Sequence, residues 1–142
     1  MNSLIVCGKL ESLAEIAQYV IAAATDAKLE KKAAYGLRLA IDEIVTNIII
    51  HGYQKSGIKG DLELQTQLNT HNLTVLIEDT SVFYNSTMQA LPNDLDKPPQ
   101  ERNIGGLGIY LATQGVDKFY YERVGNRNRN IFVMNRVVNN LS

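Results

Sequence analysis

One cysteine, two histidines and no tryptophan stand among the 142 residues of this chain. The lone Cys7 excludes an internal disulfide, and with only His51 and His71 beside it there is no Cys/His set for a structural zinc. So little cysteine suits a reducing compartment, and a cytoplasmic protein is expected. No apolar run approaches the roughly 18 residues of a membrane span. Residues 1–8 lack the basic start and apolar stretch of a signal peptide, so export and membrane insertion are disfavoured. Neither sign of charge is in excess: 14 Lys and Arg face 15 Asp and Glu, a formal charge of -1. That leaves no global basic field for direct nucleic-acid binding or for an anionic membrane, so any phosphate recognition must be local.

The composition, 45% hydrophobic and 20% charged, is that of a globular protein, and the length suits one domain over residues 1–142. Residues 3–8 suit a first strand. Leu10, Leu13, Ile16, Ala17, Val20 and Ile21 then recur at helical spacing, with Ser12 as the expected N-cap and Glu15 completing a capping box. After a charged break at 28–32, a longer helix is expected from about 33 to 51, closed by Gly52. Alternation over 62–68 and an apolar run over 73–78 predict a hairpin turning at Thr70-His71-Asn72. From 80 to 104 the pattern disappears, and Pro92, Pro98 and Pro99, the chain's three prolines, all fall there. A connection of this length in so small a domain reads as a lid. A glycine-led helix to about 115 and two strands, 118–124 and 130–138, with a turn at Gly125-Asn126, complete the chain. Two or three helices and about five strands predict an α+β fold, a two-layer α/β sandwich with a mixed, mostly antiparallel sheet and helices on one face.

Three groups of residues could carry chemistry. Glu43 and Asn47 lie four apart on the long helix and share a side of it. A carboxylate there is costly unless paired, since Ile41, Ile44, Val45, Ile48 and Ile49 bury most of the helix surface. It could act as a general base, and the amide oxygen could join the octahedral oxygen shell of Mg²⁺. The plainer expectation is a polar pair bonded to backbone or to each other, with His51 satisfied at the helix end. Asp79, at the end of an apolar strand, can accept from an exocyclic amine such as that of adenine, or simply make a turn. Gly105, Gly106 and Gly108 lead a helix, where backbone amides can meet phosphate. Upstream, Arg102 could reach a terminal phosphate or stand in solvent. Arg123, Arg127 and Arg129, interleaved with asparagines, read as a solvated turn.

The order of these features brings a resemblance into view. Ala40-Ile41-Asp42-Glu43-Ile44-Val45-Thr46-Asn47-Ile48-Ile49-Ile50-His51-Gly52-Tyr53 is similar to the N box of the anti-sigma-factor serine/threonine kinases, including a His-x-Tyr ending that histidine kinases generally lack. Glu101-Arg102-Asn103-Ile104-Gly105-Gly106-Leu107-Gly108-Ile109 resembles the same subfamily's lid end. The resemblance covers nearly the whole chain and implies the GHKL, or Bergerat, ATPase fold. It implies ATP and Mg²⁺ as cofactors, with Glu43 the general base, Asn47 the Mg²⁺ ligand, Asp79 the adenine reader, Arg102 a γ-phosphate contact and Gly105, Gly106 and Gly108 the phosphate cradle. It further implies a sigma factor or related regulator held inactive, phosphorylation of a STAS-type anti-anti-sigma protein, and dimerisation as a common state. One departure stands out. The family's Asp-x-Gly-x-x-Phe box reads here Asp79-Thr80-Ser81-Val82-Phe83-Tyr84, and a serine in the glycine's place crowds the nucleotide or demands a different local backbone. A non-catalytic binding module that sequesters a regulator, with an altered base pocket around Ser81, is the alternative.

Overall fold

The structure, a computed structural model, describes residues 2–81 and 114–137. Strand β1 (Leu4–Cys7) leads through a 3₁₀ turn (Leu10–Ser12) into helix α1 (Leu13–Asp26), and helix α2 (Lys31–Asn47) runs on as a π-helical segment (Ile48–Gln54). The hairpin β2 (Asp61–Leu68) and β3 (Asn72–Asp79) follows, and β4 (Lys118–Val124) and β5 (Arg127–Asn135) form a second hairpin. The strands make one sheet in the order β1-β2-β3-β5-β4. Every pairing among the described residues is antiparallel, so the expected mixed sheet is antiparallel there throughout.

Helix α2 is shaped by its apolar spacing. Leu37, Ala40, Ile41, Ile44, Val45, Ile48 and Ile49 recur at three- and four-residue steps, and all are buried. They pack with Ile16 and Val20 of α1 against one face of the sheet, which offers Leu62, Leu64, Leu73, Val75, Ile77, Phe132 and Met134. Each such side chain withdrawn from water contributes about 1.5–3 kcal/mol before the entropy cost of ordering it. The fold is α+β; among the described residues, two helices cover one face of a five-stranded sheet.

The two-residue period of a strand decides where the polar residues go. On β3, Leu73, Val75 and Ile77 face the helices, and the same parity carries Asp79 to that side. Its neighbour Glu78 faces the other way, among Arg127, Arg129 and Glu63. On β5 the buried set is Asn128, Asn130, Phe132 and Met134.

Two expected helix ends differ. Ser12 has helical dihedrals and makes no side-chain cap; its hydroxyl donates to the Cys7 carbonyl at 2.7 Å, tying the 3₁₀ turn to β1 instead. Gly52 does not close α2 either. The helix widens into π geometry, and Gly52 lies inside the widened segment.

Candidate functional site

The Asp79 side chain is 1% exposed, at the end of β3. Its Oδ1 accepts three hydrogen bonds: from the Ser81 amide at 3.0 Å, the Ser81 hydroxyl at 2.6 Å and the Asn128 side-chain amide at 3.0 Å. Its Oδ2 is buried and accepts none. A carboxylate oxygen taken from water and left bare is costly, and such a group in a folded protein marks a place where another molecule donates.

Ser81 is folded inward, 2% exposed. Its bulk is taken up against Gly52, where an added Cβ would stand 2.8 Å from the Ser81 Cβ. Ser81, which stands where the resemblance expects a glycine, is therefore matched by a glycine on the π segment. Its hydroxyl helps to saturate one oxygen of Asp79 and leaves the other bare.

Tyr53, next to Gly52, is a second tie between the helix end and the strand ends. Its hydroxyl donates to the Asp61 carbonyl at 2.7 Å and accepts from the Thr80 amide at 3.0 Å. Gly60 comes so close to the ring that a Cβ there would lie 2.9 Å from it. Burial pushes the Tyr53 hydroxyl above its usual pKa. Beyond the ring, a cavity of about 530 Å³ runs between the end of β1 and residues 54–61. It is lined by Gly8, Lys9 and Lys59 and includes neither Asp79 nor Glu43.

On α2 the polar pair is arranged asymmetrically. The Asn47 Nδ2 donates to the Glu43 carbonyl at 2.8 Å. A carbonyl only accepts, so the amide must turn its nitrogen that way and leave Oδ1 as its acceptor. The Glu43 carboxylate is half-buried rather than enclosed, and among the described residues it has no hydrogen bond or ion pair. The desolvation cost expected for it is correspondingly eased by partial contact with water. His51 is half-buried, and burial followed by the charge of Lys55 holds its pKa below the ordinary 6.5.

Gly36 marks what else approaches this helix. A Cβ there would lie 2.6 Å from the Gly115 carbonyl, so the backbone at 115 rests directly on α2. Gly36, Glu43 and Asn47 fall seven and four residues apart, on one helical side. Arg102, Gly105, Gly106 and Gly108, with nearly all of the expected lid, lie outside the described residues.

The solvated turn expected at the arginines is instead a strand pair, with Arg123 near the end of β4 and Arg127 and Arg129 at the start of β5. Arg127 pairs with Glu78 at 2.7 Å and Arg129 with Glu122 at 2.9 Å, on the sheet face away from the helices. Between them Asn128 and Asn130 point inward, and neither stood out in the sequence. Asn128 donates to Asp79, while its Oδ1 accepts from Tyr121 and from Arg123. Asn130 is fully buried with both amide atoms unpaired. The available signal was strand parity: Asn128 and Asn130 continue the alternation of Phe132 and Met134 backwards through a stretch whose composition reads as turn.

Among the described residues no group of three or more His, Cys, Asp or Glu could cage a metal ion. A single amide oxygen such as that of Asn47 suits Mg²⁺, which keeps waters and takes phosphate oxygens for its remaining positions.

Residues 7–135 match the histidine kinase-like ATPase domain family. The chain belongs to that family. It is similar to the anti-sigma F factor of Clostridium kluyveri, 27% identical over 133 residues that cover 93% of this chain and 89% of the relative. It is also similar to the serine-protein kinase RsbW of Bacillus mycoides, 31% identical over 84 residues, 57% of this chain. That match spans about half of the kinase's length, 51%. Among solved structures, the blue-light activated histidine kinase of Erythrobacter litoralis superimposes with a TM-score of 0.54 at 18% identity, over 85% of this chain and 40% of that one. Its histidine kinase domain gives 0.50 at 19% identity, over 86% of this chain and 58% of the other. At these identities the structural likeness speaks for the fold. No helix among the described residues is long and apolar enough to cross a membrane.

Proposed function

We propose that this chain is an ATP- and Mg²⁺-dependent protein serine/threonine kinase that restrains a sigma factor or a similar regulator and phosphorylates an anti-anti-sigma protein of the STAS type. The observation that carries the reading is the bare Asp79 Oδ2, buried at a strand end that Tyr53 and the Gly52–Ser81 contact tie to the helix bearing Glu43 and Asn47. The chain's similarity to an anti-sigma factor and to a serine-protein kinase supports the regulatory half of it.

Each residue has a task that its surroundings suit. Asp79 accepts from the exocyclic amine of adenine through Oδ2. Asn47 offers Oδ1 to Mg²⁺, its amide held in that sense by the Glu43 carbonyl. Glu43, with no competing partner among the described residues, would take the proton from a serine or threonine hydroxyl of the docked protein as that oxygen attacks the γ-phosphorus and the bond to the departing ADP oxygen breaks. Bound ATP with Mg²⁺ supplies the phosphoryl group and the charge to offset it in transfer. Arg102 and the glycines Gly105, Gly106 and Gly108 take the phosphate contacts by resemblance alone.

Labelled ATP with a cognate STAS protein tests the proposal. Label moves to a serine or threonine of the partner with wild type and not with Glu43→Ala. Equal transfer by both, or none by wild type, overturns it. A non-catalytic module is favoured by one observation, the serine in the glycine's place, and calorimetry separates the two: such a module binds a partner protein while ignoring ATP with Mg²⁺ at millimolar concentration.

A further inference from the structure

The helical layer carries apolar residues that the core does not use. Ile21 on α1 is 47% exposed, and on α2 Tyr35 is 64% and Leu39 38% exposed. Single exposed apolar side chains are ordinary, but these gather at one feature, the groove where α1 and α2 meet. Ile21 and Tyr35 line a hollow of about 310 Å³ there, with Leu29 at one end. Leu39 borders a second hollow that shares Tyr35 and Arg38 with the first and ends at Asp42. Ala24 and Ala34 are too small to fill the first hollow, and the Thr25 hydroxyl on its wall is engaged, donating to the Ile21 carbonyl at 2.9 Å.

Shape and charge together select what fits. Lys31, Tyr35, Leu39 and Asp42 recur at three- and four-residue steps, one stripe along α2, and Ile21 and Thr25 make a shorter stripe on α1. Two stripes with a groove between them are what a third helix packs into, its ridge entering the groove. Both charged residues that line the larger hollow, Lys31 and Arg38, are cations. Among the described residues neither has an ion pair or a hydrogen bond. A second copy of this chain, meeting the first about a two-fold axis, would bring the same cations to face them. A flat membrane surface cannot enter a hollow, and a formal charge of -1 gives the chain no general attraction to anionic lipid.

We propose that the α1–α2 groove is a docking surface for an amphipathic helix of another protein, one whose apolar ridge is flanked by carboxylates. The ridge enters between Ile21 and Tyr35, and the carboxylates meet Lys31 and Arg38. The surface is separate from the nucleotide reading. Tyr35 lies about 18 Å along α2 from Asn47, and neither Asp79 nor Glu43 lines the groove.

Fluorescence anisotropy of the whole chain with two labelled, stapled helical peptides tests it. Both carry a leucine ridge at heptad spacing, flanked by glutamates in one and by lysines in the other. Wild type binds the glutamate peptide at least about tenfold more tightly than the lysine peptide, and added salt weakens that binding. Tyr35→Ala weakens the glutamate peptide at least about tenfold. The double reversal Lys31→Glu with Arg38→Glu inverts the preference, so that the lysine peptide binds more tightly. All three side chains are exposed, so circular dichroism and melting temperature stay close to wild type; should Tyr35→Ala not fold, the charge reversal carries the same comparison. No binding of either peptide at millimolar concentration, equal binding of both, or a preference that the variants leave unmoved overturns the proposal. Two further results also overturn it. A dimer in sedimentation velocity that Tyr35→Ala dissociates assigns the surface to a second copy, and flotation with phosphatidylglycerol vesicles that Tyr35→Ala abolishes assigns it to a membrane. None of these outcomes reads ATP binding, so the nucleotide reading is tested apart from them.

Discussion

Gly52 and Ser81 share one small volume, and that sharing joins the helix end to the carboxylate. A Cβ on Gly52 would press on Ser81, so Gly52→Ala is expected to destabilise by about 1–3 kcal/mol, more than the roughly 1 kcal/mol that alanine returns in helix propensity. In a Ser81→Gly background the penalty disappears, and urea unfolding of the four proteins in a double-mutant cycle measures the coupling. Additive effects would show that the two residues do not press on each other. His51 carries a second expectation. Its folded pKa lies below 6.5, so the fold prefers the neutral imidazole. Stability is full above the unfolded value and is lost as pH falls through the folded one, because the unfolded chain binds the proton first. His51→Gln should therefore flatten the fall in melting temperature below about pH 6.5; an unchanged profile would count against this assignment.

At the scale of elements, the π-helical segment holds the site together, because it brings Gly52 against Ser81 and the Tyr53 hydroxyl between β2 and the end of β3. Tyr53→Phe strips two part-buried backbone groups of their partner. It is expected to cost about 1–3 kcal/mol in chemical denaturation and to weaken nucleotide binding by loosening residue 80 beside Asp79. Intact affinity with lost stability would confine Tyr53 to the fold. The strands and α2 could be read in the sequence, because Leu37 to Ile49 and Leu73 to Ile77 each keep a single period. The π segment could not: Ile48-Ile49-Ile50 is apolar at every position and has no phase to betray a widened turn. Nor could the inward asparagines of β5, since Arg127 to Asn130 has the polar composition of a loop and only its register with β3 turns Asn128 and Asn130 toward Asp79. Ser12 and Glu15 matched a capping box, but Ser12 takes helical dihedrals and its hydroxyl donates to the Cys7 carbonyl instead of accepting from a helix amide.

At the scale of the whole molecule, the antiparallel sheet separates two kinds of polar residue by parity. Glu63, Glu78, Glu122, Arg127 and Arg129 pair on the face away from the helices, where each exposed ion pair adds at most about 1 kcal/mol. Asp79, Asn128 and Asn130 are held on the helix side with three atoms left unpaired, a stability cost that makes sense as preparation for a ligand. The sequence disclosed this division at Glu78 and Asp79 and concealed it at β5. The most direct measurement is calorimetric titration of ATP with Mg²⁺ into wild type and Asp79→Asn. The amide oxygen of that variant can still accept from Ser81 and Asn128, while an NH₂ group replaces the bare Oδ2 and faces the base amine donor to donor. Binding by wild type, weakened at least about tenfold in a folded Asp79→Asn, is the expected result; equal binding by the two, or none at millimolar ATP, would contradict the account.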